Sequence, residues 1–265
     1  MRAAREPLAA KVPEVTVLFW VIKVLTTGMG EAASDFLGKT NLVLGGVVGV
    51  GGLALALWLQ LRAERYVART YWFAVAMVAV FGTMVADVLH VVAGVPYSVS
   101  TIVCAAAVAA VFWLWHRSEG TLSIHSITTR RREHFYWTTV LATFALGTAA
   151  GDLTADQLGW GFLASGLLFA AVMLVPALGR WKLGMGEVLA FWSAYVVTRP
   201  LGASFADWLG KPPSFGNGLG YGDGTVAAVA TGLIVVLVAW VSRSGSDVQP
   251  ERPEQHGERE PVLVD

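Results

Sequence analysis

The chain has 265 residues, 55% of them hydrophobic and only 14% charged, with no formal net charge. Soluble domains run nearer a quarter charged, so this composition excludes an ordinary water-soluble globular protein. The single cysteine, Cys104, excludes an internal disulfide, and its place in an apolar run makes packing its expected role.

Residues 1–14 read as a short cytoplasmic segment. Pro7 and Pro13, and the lack of an apolar stretch ending in small residues, argue against a removable signal peptide. Eight apolar runs follow, at 15–36, 42–61, 71–93, 97–116, 135–154, 158–178, 186–209 and 225–242. Each is about as long as the ~20 residues a helix needs to cross ~30 Å of hydrocarbon. Residues 243–265 are polar and Pro-rich and read as a disordered cytoplasmic tail. The expected fold class is therefore an all-α membrane protein with eight transmembrane helices.

Positive charge is unevenly spread over the connecting segments. One alternate set holds Arg2, Arg5, Lys11, Arg62, Arg65, Arg69, Arg117, Arg130, Arg131, Arg132, Arg180, Lys182, Arg243, Arg252 and Arg259; the other holds Lys39 and Lys211. The positive-inside rule then places both termini in the cytoplasm of a multi-pass protein of the cell inner membrane. His116, His125 and His134 share the basic segment around Arg130 to Arg132, which reads mainly as a topology determinant, with contact to anionic lipid as the second reading.

The runs repeat. Aromatic pairs recur at Phe19-Trp20, Tyr71-Trp72, Tyr136-Trp137 and Phe191-Trp192. Ten residues after each Trp stands a glycine (Gly30, Gly82, Gly147, Gly202), and fifteen after it an aspartate (Asp35, Asp87, Asp152, Asp207). The pattern [FY]-W-x9-G-x4-D occurs once in each odd-numbered run, which divides the chain into four tandem two-helix repeats at 15–65, 66–117, 118–180 and 181–242. Since each repeat crosses the membrane twice, all four are expected to be parallel. Fifteen residues of helix rise ~22 Å. The aromatic pairs are thus expected at the cytoplasmic interface as anchors, and the four aspartates together near the outer side.

Ionisable groups at membrane depth are costly and mark an ion or substrate path by default. Four residues before the aspartates, on the same helical face, stand Glu31, Thr83, Thr148 and Ala203. Thr26, Thr27, Thr143 and Thr198 lie one turn further. Lys23 and Arg199 fall inside the first and seventh runs, with no counterpart in the second and third repeats. Each is expected within reach of a carboxylate, Glu31 being the first choice for Lys23. The conserved-spacing glycines suit close helix packing, and the odd runs are expected to line the interior while the almost purely apolar even runs face lipid.

The repeat, together with SIHSITTRRREHFYW before the third copy, resembles an uncharacterised bacterial membrane-protein family built from repeats of a domain of unknown function. The resemblance spans residues ~15–242. It implies the repeated membrane fold and brings no activity with it.

The expected ion-binding residues are Asp35, Glu31, Asp87, Asp152, Asp207, Lys23, Arg199, Thr83 and Thr148. The same four aspartates, with His90, are the candidates for a metal; the competing reading is that the aspartates cap helices and His90 is a hydrogen-bonded interface residue. Asp156 could add a carboxylate to the third repeat. SFGNGLGYGDG lacks the Gly-Lys-Ser/Thr ending of a phosphate loop and reads as an outer loop or lid. No HExxH, GxSxG or cofactor motif appears, so neither an enzyme nor a cofactor is expected. The expected partners are the lipid bilayer and a small cation or proton, with no nucleic acid.

Four carboxylates converging at low dielectric cannot all stay ionised without a cation, so proton and cation should compete for them. A proton-coupled cation transporter or exporter is the expected function, with Asp35 the first choice of coupling residue because Glu31 lies one turn below it. A cation channel with an acidic ring, and a scaffold or sensor without transport, are the alternatives.

Overall fold

The computed structural model describes residues 10–249. They form eight α-helices: α1 (Val17–Thr40), α2 (Leu42–Arg62), α3 (Ala68–Asp87), α4 (Tyr97–Glu119), α5 (Arg130–Asp152), α6 (Phe162–Lys182), α7 (Glu187–Gly210) and α8 (Asp223–Ser244). Each expected run is met within a few residues. Most of the expected cytoplasmic segment, and the tail from residue 250 on, lie outside the described residues.

Six helices, α1, α2, α3, α4, α6 and α8, are long and apolar enough to cross a membrane. The other two are more polar for a visible reason. α5 opens on Arg130, Arg131, Arg132 and Glu133, and α7 carries Glu187, Arg199 and Asp207. Glu133, Arg199 and Asp207 are buried among neighbouring helices, while Arg130, Arg131 and Glu187 are exposed at the helix starts.

Local chemistry sets the helix ends. Thr16 accepts a hydrogen bond from the Phe19 amide at 3.2 Å to cap α1, and Thr129 caps α5 through the Arg132 amide. A single residue, Asn41, joins α1 to α2: its amide bonds the Leu37 carbonyl and its side chain accepts from the Leu44 amide at 3.0 Å. α4 stops at Gly120, whose φ of +68° is one that glycine adopts without strain. α3 and α5 instead run directly from Asp87 and Asp152 into π-helical turns, Val88–Val92 and Leu153–Gln157.

The odd helices form the inner ring. α1 packs on α3, α3 on α5, α5 on α7, and α7 back on α1. Outside it, α2 lies on α3, α4 on α5, α6 on α7, and α8 on α1, so each even helix covers the odd helix of the following repeat. Burial agrees: α3 buries Tyr71, Ala74, Val75, Val78 and others, whereas α4 buries only Ser100, Val108 and Trp115. The expected split between interior odd helices and outward even helices holds.

The repeated glycines explain how the ring closes. A Cβ on Gly30 would strike Ala79, one on Gly82 would meet Phe144 at 3.0 Å, one on Gly147 would strike Arg199, and one on Gly202 would strike Thr27 and lie 2.8 Å from the Val24 carbonyl. The partner is each time the residue eight positions before the aspartate of the next repeat. Glycine is required here for the close approach of two backbones rather than for its dihedral freedom.

A polar clasp draws the residues before α1 across one end of the ring. Lys11 Nζ pairs with Glu133 at 2.7 Å, both side chains buried, and Gln60 donates to the same carboxylate at 3.2 Å. Lys11 is therefore not the solvated loop charge expected from the sequence. Residues 245–249, expected within a disordered tail, also join the clasp: Tyr66 donates to Asp247 at 2.5 Å, and Gln249 donates to the Val12 carbonyl at 3.2 Å. Burial, then the hydrogen bond to Asp247, push the Tyr66 phenol above its usual range, so it stays a donor.

Candidate functional site

Stepping back by four residues from each aspartate follows one face of each odd helix into the bundle. The first step gives Glu31, Thr83, Thr148 and Ala203; the second Thr27, Ala79, Phe144 and Arg199; the third Lys23, Val75, Val140 and Tyr195; the fourth Phe19, Tyr71, Tyr136 and Phe191. All sixteen are buried. The axis of the ring is thus filled by layers of four side chains, one from each repeat.

The fourth layer closes one end. Phe19 meets Trp72 at 5.5 Å, Tyr71 meets Trp137 at 5.6 Å, Tyr136 meets Trp192 at 6.1 Å, and Phe191 meets Trp20 at 5.7 Å between ring centroids. Each pair links one repeat to the next, and the fourth closes the circle. Trp72, Trp137 and Trp192 are almost wholly buried, which corrects the expectation that these residues are interfacial anchors. Aromatic area is large, and here it is used between helices rather than against headgroups.

Arg199 organises the middle of the axis. Its Nη2 donates to Glu31 Oε2 at 2.5 Å, to Thr148 Oγ1 at 2.8 Å and to Thr83 Oγ1, while Nη1 reaches the Thr27 carbonyl at 3.3 Å. Thr83 also donates to Glu31 at 3.3 Å. One guanidinium from α7 thereby gathers oxygens from α1, α3 and α5. Glu31, Thr83, Thr148 and Arg199 come together as expected, with Arg199 rather than Lys23 as the partner of Glu31.

Lys23 departs from expectation. Its Nζ lies 4.0 Å from the Phe144 ring centroid and 4.1 Å from that of Tyr195, with no hydrogen-bond partner among the described residues. Lys23 and Glu31 stand two layers apart on α1, too far for a direct bond at ~12 Å of rise. Aromatic faces take the place of a carboxylate.

The aspartates fall into two kinds. Lys211 contacts both Asp35 and Asp207, the latter at 3.7 Å, and Lys39 reaches Asp35 at 3.5 Å and Asp223 at 2.5 Å. Asp87 accepts from Ser34 at 3.3 Å, and among the described residues neither Asp87 nor Asp152 meets a lysine or arginine. These two are also the aspartates that begin π-helical turns, a feature common at functional sites. Asp35, the expected coupling residue, is held by lysines instead.

The expected metal cluster does not form. No three His, Cys, Asp or Glu side chains among the described residues converge closely enough to hold a metal ion. The four aspartates stand on separate walls of the ring and two are engaged by lysines. His90 bonds the Val95 carbonyl at 2.9 Å and Ser100 at 3.3 Å and packs on Tyr97, which spends both ring nitrogens locally. Asp156 is exposed. Thr26, Thr143 and Thr198 donate to carbonyls three residues back in their own helices, so their hydroxyls add little to the axis. The loop after α7 folds back, with the Leu219 amide on the Trp208 carbonyl and Phe215 against Phe162.

Tyr195, Phe144 and the Lys11–Glu133 pair were not singled out from the sequence. The four-residue step that gives Glu31 and Thr83 reaches Phe144 and Tyr195 if continued; nothing local marks Lys11 or Glu133.

Four successive segments, 18–66, 70–121, 135–183 and 190–247, match the family described as Repeat of Unknown Function (DUF347). The chain belongs to this repeat family. The DUF347 segments coincide with the α1–α2, α3–α4, α5–α6 and α7–α8 hairpins. No curated protein and no solved structure matches the chain.

Proposed function

We propose that the chain is a multi-pass protein of the cell inner membrane that exchanges a small cation for protons. In this reading the four hairpins are parallel repeats, both termini are cytoplasmic, and the aspartate layer faces the outer side. The distribution of Lys and Arg supports the orientation: Arg62, Arg65, Arg69, Arg117, Arg130 to Arg132, Arg180, Lys182 and Arg243 flank the aromatic-ring end, against Lys39 and Lys211 at the other. Cysteines replacing Lys39 or Lys211 are expected to react with an impermeant thiol reagent from outside, and cysteines at Arg65 or Arg131 only from inside. Reversed or mixed labelling would end this topology.

The observation that carries the transport reading is the pair Asp87 and Asp152. They lack a lysine and open π-helical turns, and in the shared register they stand one turn above Glu31, Thr83 and Thr148, which the Arg199 guanidinium reaches from one turn further down. A cation at the aspartates competes with protons there, and reaches Glu31 only by taking the place of the Arg199 guanidinium. Such an exchange gives two states of one buried cluster, the minimum an alternating mechanism requires. Carboxylate and hydroxyl oxygens suit H⁺, Na⁺, Mg²⁺ or Mn²⁺ rather than soft metals.

A passive acidic-ring channel fits less well, because the axis is filled by Arg199, Phe144, Tyr195 and the closed aromatic ring. The scaffold reading draws its support from Lys39 and Lys211, which neutralise Asp35, Asp207 and Asp223 as structural ion pairs would. Purified protein in sealed proteoliposomes, given a panel of cations and a pH gradient, separates the readings: cation-dependent proton movement is expected, and none under any cation would leave the scaffold.

A further inference from the structure

A groove of roughly 560 Å³ opens on the flank of the bundle at the aromatic-ring end, between α1, α6 and α7 and beneath the segment joining α4 to α5. Its volume falls within the ~300–1,000 Å³ of sites that hold a discrete ligand. The lining is largely apolar, with Trp20, Met173, Leu174 and Phe191 among it, and Pro176 stands in the α6 wall. The rim carries both signs of charge. His125 Nε2 meets Glu187 Oε1 at 2.8 Å and His125 Nδ1 lies 4.0 Å from Glu14, while Arg180 is exposed and makes no ion pair among the described residues. Trp181 and Leu183 are strongly exposed just beyond Arg180, as side chains at a membrane–water boundary are.

We propose that this groove binds an aminophospholipid of the facing leaflet. An apolar trough opening into the bilayer takes an acyl chain. A headgroup that joins a phosphodiester to a primary ammonium needs one cation and at least one carboxylate at the rim, at the level where Arg180, Glu14 and Glu187 stand. The guanidinium offers the phosphate paired N–H donors. The primary ammonium donates hydrogen bonds to the two carboxylates, which a trimethylated amine cannot do. The site depends on the membrane placement of the chain and not on the transport reading.

The test is retention of added lipid by the full-length protein released from detergent, counted by native mass spectrometry. The probes are phosphatidylethanolamine, phosphatidylcholine and phosphatidylglycerol at equal concentration. Phosphatidylethanolamine is expected to be retained about tenfold over the other two, as the loss of a hydrogen bond to a charged group implies. Glu187→Gln should erase most of that preference, whereas Arg180→Gln should lower retention of all three headgroups alike, since each carries the phosphodiester. Ala177→Trp, at an exposed position in the groove wall, should abolish retention of the lipid while leaving the thermal unfolding of the lipid-free protein unchanged. Equal retention of the three headgroups, or retention that survives Ala177→Trp, overturns the proposal.

Discussion

Arg199→Ala is expected to lower folding stability by about 3–5 kcal/mol, the cost of removing one partner from a buried ion pair. The loss exceeds that of a surface pair because the guanidinium and Glu31 are both buried and the same Nη2 also serves Thr83 and Thr148. Its removal leaves a carboxylate and two hydroxyls facing each other without a donor of positive charge. Pairing the change with Glu31→Gln should recover a substantial part of the loss, since the orphaned charge is then gone. Denaturation midpoints of the two single variants and the double variant in one detergent measure this directly. A double variant no better than Arg199→Ala would mean that Glu31 and Arg199 are not energetically coupled.

Gly202→Val should cost about 3 kcal/mol or more, at the upper end of what overpacking a core costs. A side chain there meets Thr27, the Val24 carbonyl at 2.8 Å and the Gly28 amide at 2.9 Å, so two helix backbones must part. Those atoms belong to the α1–α7 contact, the one that closes the ring between the last repeat and the first. Gly46→Ala in α2 is the matching control. Nothing lies within 4 Å of a Cβ at that position, and a gain of up to about 1 kcal/mol from helix propensity is expected. Thermal unfolding of both variants checks the contrast; a Gly202→Val protein as stable as wild type would remove the close-packed ring.

The repeat was legible in the sequence because its chemistry is periodic. A Trp, a Gly and an Asp at fixed spacing fix the register of four helices, and stepping back four residues from Asp207 or Asp87 lands on the residues that fill the axis. The packing role of the glycines and the shared inward face of Glu31, Thr83 and Thr148 followed from that spacing. What stayed hidden depends on partners distant in sequence. Lys23 has aromatic rather than acidic neighbours because Phe144 and Tyr195 come from α5 and α7. The tryptophans read as interface anchors because a tryptophan after an aromatic residue near a helix start has the same local signature in either place. Lys11 and Glu133 meet across 122 positions, and their types alone suggest solvated charges. Lys211 stands four residues after Asp207, past the repeated pattern, and its hold on Asp35 crosses from the fourth repeat to the first, so this contact, which weakens the case for Asp35 as the coupling group, could not be read from either repeat alone.

The most direct test of the transport account is proton flux driven by a cation gradient in sealed proteoliposomes, expressed per folded protein, for the wild type, Asp87→Asn, Asp152→Asn and Asp35→Asn. Amide and carboxylate are nearly isosteric, so all four proteins should be recovered folded. The account expects flux in the wild type, loss of at least tenfold in Asp87→Asn and in Asp152→Asn (about 1.4 kcal/mol of coupling or more), and a smaller loss in Asp35→Asn, whose carboxylate already faces Lys211 and Lys39. Absence of flux under every cation tried, or equal flux in wild type, Asp87→Asn and Asp152→Asn, would contradict it.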